Sequence, residues 1–174
     1  MPIKNQSVIR AQVEFSVEKT RPANTTAYTN EDVVSESTSA GTSWVFTAVV
    51  PDNWAGGRIV KAIVQCDDTN IAPVMTMYLT NVVPTGNLDD NGANTNPVYA
   101  TESDNYQGRL DWAALEDLGG PSEAVLVAAD LKLPLPFVCA EGANDLYGVL
   151  VIRSSAHTPT SGAKWRVTLT IEPD

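Results

Sequence analysis

Arg58-Ile59-Val60-Lys61-Ala62-Ile63-Val64-Gln65-Cys66-Asp67-Asp68-Thr69-Asn70 and its continuation Ile71-Ala72-Pro73-Val74-Met75-Thr76-Met77-Tyr78-Leu79-Thr80-Asn81 decide the fold. Val60, Ala62, Val64 and Cys66 fall on one side, with Lys61 and Gln65 opposite. After Asp67-Asp68-Thr69-Asn70 the alternation restarts, with Met75, Met77 and Leu79 against Thr76, Tyr78 and Thr80. A period of two marks strands that bury one face. The Asp/Asn-rich stretch between them has the chemistry of a tight connection, so a hairpin is expected. A hairpin cannot bury such faces alone, and other strands must cover it.

Those strands are legible on both sides. Ser7 to Glu18 places Ile9, Ala11, Val13, Phe15 and Val17 against Arg10, Gln12, Glu14, Ser16 and Glu18. Such clean alternation predicts an antiparallel strand with one wet face. Lys19 to Ala27 reads as a polar connection. Trp44, Phe46, Ala48 and Val50 alternate with Val45, Thr47 and Val49, apolar enough on both faces for a more central strand. Val82 to Asn105 is a long polar loop, of the kind that is functional or wrapped on the surface.

Tyr106, Gly108, Leu110 and Trp112 return to period two, although Asp111 is also placed to cap a short helix from Trp112 to Leu118. Glu123 to Leu131 and Phe137-Val138-Cys139 read as strands. Leu146 to Arg153 is apolar on both faces and should be a central core strand. Trp165, Val167, Leu169 and Ile171 point inward on the last strand. Eight or nine strands without βαβ alternation predict an all-β, antiparallel, jelly-roll-like sandwich. The expectation is one domain over residues 1–174, with an N-terminal arm of residues 1–6.

Bulk properties narrow the function. At 174 residues the chain is long enough for a real core. A formal net charge of −10 argues against nucleic acid as a partner. Lys4, Arg10, Lys19 and Arg21 against Glu14 and Glu18 give +2 over residues 1–21, while residues 22–174 carry −12. Either a few charges fell there by chance, or the N-terminal end meets a different surface from the rest. Met1 to Ser7 lacks the apolar core of a signal peptide, and no run approaches the ~18 apolar residues of a membrane span. The expectation is a chain made and kept in a cytoplasm, with no membrane partner. Cys66 and Cys139 sit in apolar strand patterns and are expected to be buried thiols.

Reactive chemistry is hard to find. His157 is the one histidine, in a loop, and reads as a solvated side chain. Gly41-Thr42-Ser43-Trp44-Val45 misses the nucleophile elbow at its last position. Nothing selects two of the 21 carboxylates as an acid/base pair. Asn87-Leu88-Asp89-Asp90-Asn91-Gly92 matches the first half of a calcium loop, but the closing Glu would fall at Val98, so an Asx-rich turn is expected. Trp44, Trp112 and Trp165 lie in strand patterns and read as packing. Trp54 lies in a predicted loop, either exposed as an anchor or folded back. No catalytic, metal or cofactor residue is assigned, and the chain is read as a non-enzyme.

Four stretches carry a resemblance: Tyr28-Thr29-Asn30-Glu31-Asp32-Val33-Val34-Ser35, Gly86-Asn87-Leu88-Asp89-Asp90-Asn91-Gly92-Ala93-Asn94-Thr95, Leu115-Glu116-Asp117-Leu118-Gly119-Gly120 and Asp145-Leu146-Tyr147-Gly148-Val149-Leu150-Val151. Their order and spacing, over about residues 28–172, resemble small β-sandwich structural proteins of tailed bacteriophages. The resemblance implies a capsid cement or decoration protein on the outer shell, a jelly-roll-like fold, and a dimer or trimer bound to the major capsid protein. It carries no site residue over. Candidate partner contacts from the sequence are Ile3 as an apolar anchor, Lys4 and Arg10 as cations, and Trp54. The alternative is a carbohydrate-binding or tail receptor-binding module, since jelly rolls serve there too.

Overall fold

The computed structural model describes residues 11–51, 56–69, 71–96, 103–130, 132–154 and 156–173. Among them run ten strands: β1 (Val13–Thr20), β2 (Trp44–Phe46), β3 (Gly56–Cys66), β4 (Val74–Thr80), β5 (Tyr106–Ala114), β6 (Glu116–Asp117), β7 (Ser122–Val127), β8 (Leu135–Val138), β9 (Leu146–Ile152) and β10 (Lys164–Pro173). They form two antiparallel sheets, ordered β1-β10-β3-β7-β6 and β2-β9-β4-β5, with β8 continuing β7 along the far side of β3.

The pairing is nested. β1 pairs with β10, β2 with β9, β3 with β7 and β4 with β5. One long ribbon folded at β4–β5 and rolled so that its strands alternate between two sheets gives this order, which is the jelly roll expected from the sequence. The core lies between the sheets. Phe46, Met75, Met77, Leu79, Leu110 and Leu150 of the second sheet meet Ile59, Ala62, Val64, Val167, Leu169 and Ile171 of the first, all essentially without solvent exposure. The indole of Trp112 on β5 donates to the Ala62 carbonyl on β3 at 3.1 Å, which ties the two layers together.

Several expectations are corrected. β3 and β4 are not a hairpin: β3 pairs with β10, β7 and β8, and β4 pairs with β5 and β9, in the other sheet. Residues 67–73 cross between layers that stack about 10 Å apart, with Ile71 buried on the way. A bulge where β10 passes β3 shifts the register between Thr170 and Ile171, so Ile59 as well as Ala62 faces the core and Val60 is only partly covered.

The first strand starts at Val13, not Ser7, and extends to Thr20; residues 7–10 lie outside the described residues. β2 is three residues long and lies at the end of its sheet's strand order, so the expected central strand is an edge. No helix caps on Asp111, because Trp112 to Ala114 continue β5 beside β4. The expected strand over 123–131 stops at Val127 and passes into a single 3-10 turn, Ala128–Asp130. β9 is central, as its two apolar faces require.

Candidate functional site

The two outer sheet faces are finished differently. On the second sheet the face is roofed. Val34 N donates to the Leu150 carbonyl and Ile152 N to that of Asp32, both at 2.9 Å, so residues 32–34 run beside β9. Val33 N in turn donates to the Gly92 carbonyl at 2.9 Å, and Asp32 forms a bridge with Ala93. The long loop after β4 therefore wraps over the sheet, as expected of it, and closes a second small core of Val33, Val149 and Val151 under Leu88 and Tyr78. Gly41 lies so close to this loop that a Cβ there would sit 1.8 Å from the Leu88 carbonyl oxygen.

A chain of buried polar groups holds that roof. On β1 the inward parity of Phe15 and Val17 continues to Lys19, so an ammonium points into the protein. It binds Glu36 and the Thr42 carbonyl, donates to Thr42 Oγ1 at 2.9 Å, and lies 5.7 Å from the Trp44 ring. An inward charge of this kind also blunts an edge strand against wrong pairing. Burial lowers the Lys19 pKa and Glu36 partly restores it. Burial raises the Glu36 carboxyl, but hydrogen bonds from Lys19, Thr42 and Ser35 outweigh this and hold it at about 2.

Arg21, 2% exposed, donates to the carbonyls of Pro159 and Thr26 and to Asn24 Oδ1, and stacks on Tyr28 at 4.7 Å. Sequence reading took Lys19 to Ala27 as polar connection and missed both cations. The parity of Lys19 with Phe15 and Val17 was the available signal for one of them; for Arg21 there was none.

The outer face of the first sheet has no such roof among the described residues. Its rows read across four strands: Glu14, Thr170, Lys61, Val127; then Ser16, Thr168, Ile63, Val125; then Glu18, Arg166, Gln65, Glu123. Arg166 donates to Glu18 at 2.6 Å and Gln65 to Glu123 at 2.7 Å, while Ser16 and Thr168 share a hydrogen bond of 2.7 Å. Toward β7 the charges give way to Val125 and Val127, each more than 40% exposed. At the start of β1 an open groove of about 520 Å³ is lined by Val13, Phe15, Ala48 to Pro51, Asn144 and Pro173. Ala48 holds a left-handed φ of 52°, with its N–H on Asp145 Oδ1 at 2.9 Å.

The candidate contacts Ile3, Lys4, Arg10 and Trp54 lie outside the described residues. His157 is corrected from solvated to half-buried. Its backbone pairs with that of Tyr28 in both directions, at 2.7 and 2.8 Å, and burial lowers its pKa, favouring a neutral ring. The calcium-like stretch is an Asx turn: Asp89 N donates to Asn87 Oδ1, Asp89 accepts from Gly41 N, and Asp90 turns inward to Tyr28 and Ser35. Trp44, Trp112 and Trp165 are core residues, at most 2% exposed.

No protein-family model matches the chain, and no curated protein matches it in sequence. Among solved structures it is similar to the decameric BFDV capsid protein, at 11% identity over 94% of this chain and 99% of that one, with a TM-score of 0.38. A chain of the capsid of Ralstonia phage GP4 matches at 14% identity over 99% and 90%, with a TM-score of 0.37. A chain of the cyanophage Pam1 capsid asymmetric unit matches at 15% identity over 100% of both, with a TM-score of 0.33. These likenesses are shallow, and the jelly-roll assignment rests on the strand order itself.

Proposed function

We propose that this chain is a non-enzymatic structural protein of a virion, a cement or decoration protein bound to the outer surface of a tailed-phage capsid. The observation that carries the reading is the contrast between the sheets. One outer face is sealed by two loops pinned through buried polar groups, while the other, among the described residues, stays open with polar and charged side chains linked in rows. A scaffold that spends its long loops on rigidity and keeps a flat face clear suits a binding role better than a catalytic one. The nested strand order and the sequence resemblance over about residues 28–172 support the same reading, although fold alone decides no function.

In this reading the partner is the major capsid protein shell, and one sandwich domain docks through its N-terminal arm. Ile3 supplies an apolar anchor, Lys4 a cation and Trp54 a second anchor, with Arg10 at the base of the arm. A protein that binds the assembled shell and not its dissociated subunits stabilises the shell by mass action.

Sedimentation with undecorated capsids tests this. Wild type should co-sediment and raise the temperature at which capsids come apart. Deleting Met1 to Gln6 should weaken binding while the sandwich stays folded, and Lys4→Glu should slow association most at low salt. Wild type that never co-sediments sinks the reading and brings forward the carbohydrate- or receptor-binding module. A truncated chain that binds as well as wild type removes the arm from the contact.

A further inference from the structure

We propose that the outer face of the first sheet packs on the same face of a second copy, along the strip where β7 and β8 flank β3, about a two-fold axis that crosses the strands at Ala62 and Leu126. Directly opposed residues of an antiparallel pair share a face. Val125, Val127 and Val138 therefore stand in one outward column, beside Ile63, Lys61 and Gly56 of β3. All three valines are more than 40% exposed, and Leu118, just beyond β6, is 57% exposed. The strip is the most apolar part of a face that is otherwise polar.

Charge is ordered along the strip. At one end Glu116 of β6 and Glu123 of β7 are directly opposed. Like charges in that position repel each other. Gln65 donates to Glu123 at 2.7 Å, but among the described residues no cation pairs with either glutamate. At the other end Arg58 stands opposite Pro136 and 3.8 Å from Glu172. A guanidinium has five donors and can serve more than one carboxylate. The two ends are equally far from Ala62: Gln65, opposite Glu123, lies three residues beyond it, and Arg58 lies four before it, of which the bulge beside Val60 absorbs one.

An axis across the strands at Ala62 reverses one strip on the other. Val125 of each copy then meets Val127 of the other, and each Arg58 end meets a Glu116–Glu123 end. Arg166 likewise comes over Glu172. A net charge of −10 makes two copies repel unless opposite signs meet, and the reversed strip makes them meet. An axis along the strands would instead bring the glutamate ends together. A foreign partner calls for a strip of one sign, whereas this one carries both signs in the order that its own copy complements. Sheets stacked this way lie about 10 Å apart, their strands within about 30° of parallel. Residues 56–65 of β3 span about 30 Å, and three strand spacings about 15 Å. The resulting patch is about half of the ~800 Å² that each partner buries in a standard interface, so the dimer is weak, with a dissociation constant on the order of 10–100 μM. The pairing goes beyond the shell reading and does not depend on it, because it uses none of the residues assigned to the shell.

Two measurements on the full chain, without capsids, decide it. In sedimentation velocity, Glu123→Arg and Arg58→Glu should each weaken the dimer about tenfold, and the double variant should bind more tightly than either. The second is thiol labelling of Val125→Cys. Its rate should fall about threefold or more as the protein is concentrated from about 1 to 500 μM. Val83→Cys is the control: it is equally open to solvent but follows β4 of the other sheet, so its rate should not change. The native Cys66 and Cys139 are buried and add no background. Circular dichroism checks that each variant is folded. Wild type that is monomeric up to about 500 μM overturns the proposal. So does a double variant no tighter than the single ones, or equal protection of Val83→Cys and Val125→Cys.

Discussion

The hydroxyl of Tyr28 donates to Asp90 Oδ1 at 2.5 Å, fastening the connection after β1 to the loop after β4. Ser35 N donates to the same oxygen at 3.0 Å, while Oδ2 is enclosed without a partner among the described residues. Burial pushes the Asp90 carboxyl above the usual carboxylate range, against the pull of the Ser35 and Tyr28 hydrogen bonds and of Arg21; Asp32 adds to the rise. A raised folded-state pKa means that Asp90 contributes full stability below about pH 4 and loses it as pH rises through the raised value. Asp90→Asn should abolish that slope, gaining on wild type between pH 4 and 8. Tyr28→Phe should cost about 1–3 kcal/mol at neutral pH, because it leaves a buried acceptor short of its donor. Denaturant titrations across pH would show it, and an Asp90→Asn profile parallel to wild type would contradict the argument.

Glu36 works in the opposite direction. Its carboxyl is held at about 2, so its contribution is complete above the ordinary value near 4.5 and disappears as pH falls through about 2. Lys19→Met removes the ammonium that binds it and should cost about 1–3 kcal/mol at pH 7. The variant should also lose less stability than wild type on acidification from about pH 4.5 to 2. Equal acid sensitivity in the two proteins would assign the low Glu36 value to Thr42 and Ser35 instead.

Leu150 on β9 is fully buried between the sheets. Leu150→Ala should cost about 2–5 kcal/mol through lost burial and a cavity. A loss under about 0.5 kcal/mol in urea unfolding would mean that β9 does not carry the core.

Cys66 and Cys139 are buried and not bonded to each other. Burial pushes the Cys66 thiol up to about 12 and raises that of Cys139 as well, so thiolate is scarce at neutral pH. A thiol reagent should leave both nearly untouched in the native protein and label both after denaturation. Rapid labelling of either in the folded state would contradict the burial of its thiol.

The alternation of apolar residues by itself located most of the strands and, away from the bulge beside Val60, the side of each that faces the core. Met75, Met77 and Leu79, or Trp165, Val167, Leu169 and Ile171, could be placed correctly from their period alone. The same period carries no information about partners. It made β3 and β4 look like a hairpin, when they lie in different sheets across seven residues of connection, 67–73. It let β2 pass for a central strand, because Val49 and Val50 beyond its end are buried by the core and not by pairing.

The roof over the second sheet was legible only as a long polar loop. The residues that fix it come from two separate parts of the chain, Lys19, Arg21 and Tyr28 in one and Asp90, 62 residues beyond Tyr28, in the other, and nothing in a polar residue's own neighbourhood says that it will be buried. Burial of such a group depends on whether a partner from another loop arrives within hydrogen-bond distance, and that is decided by the tertiary structure alone.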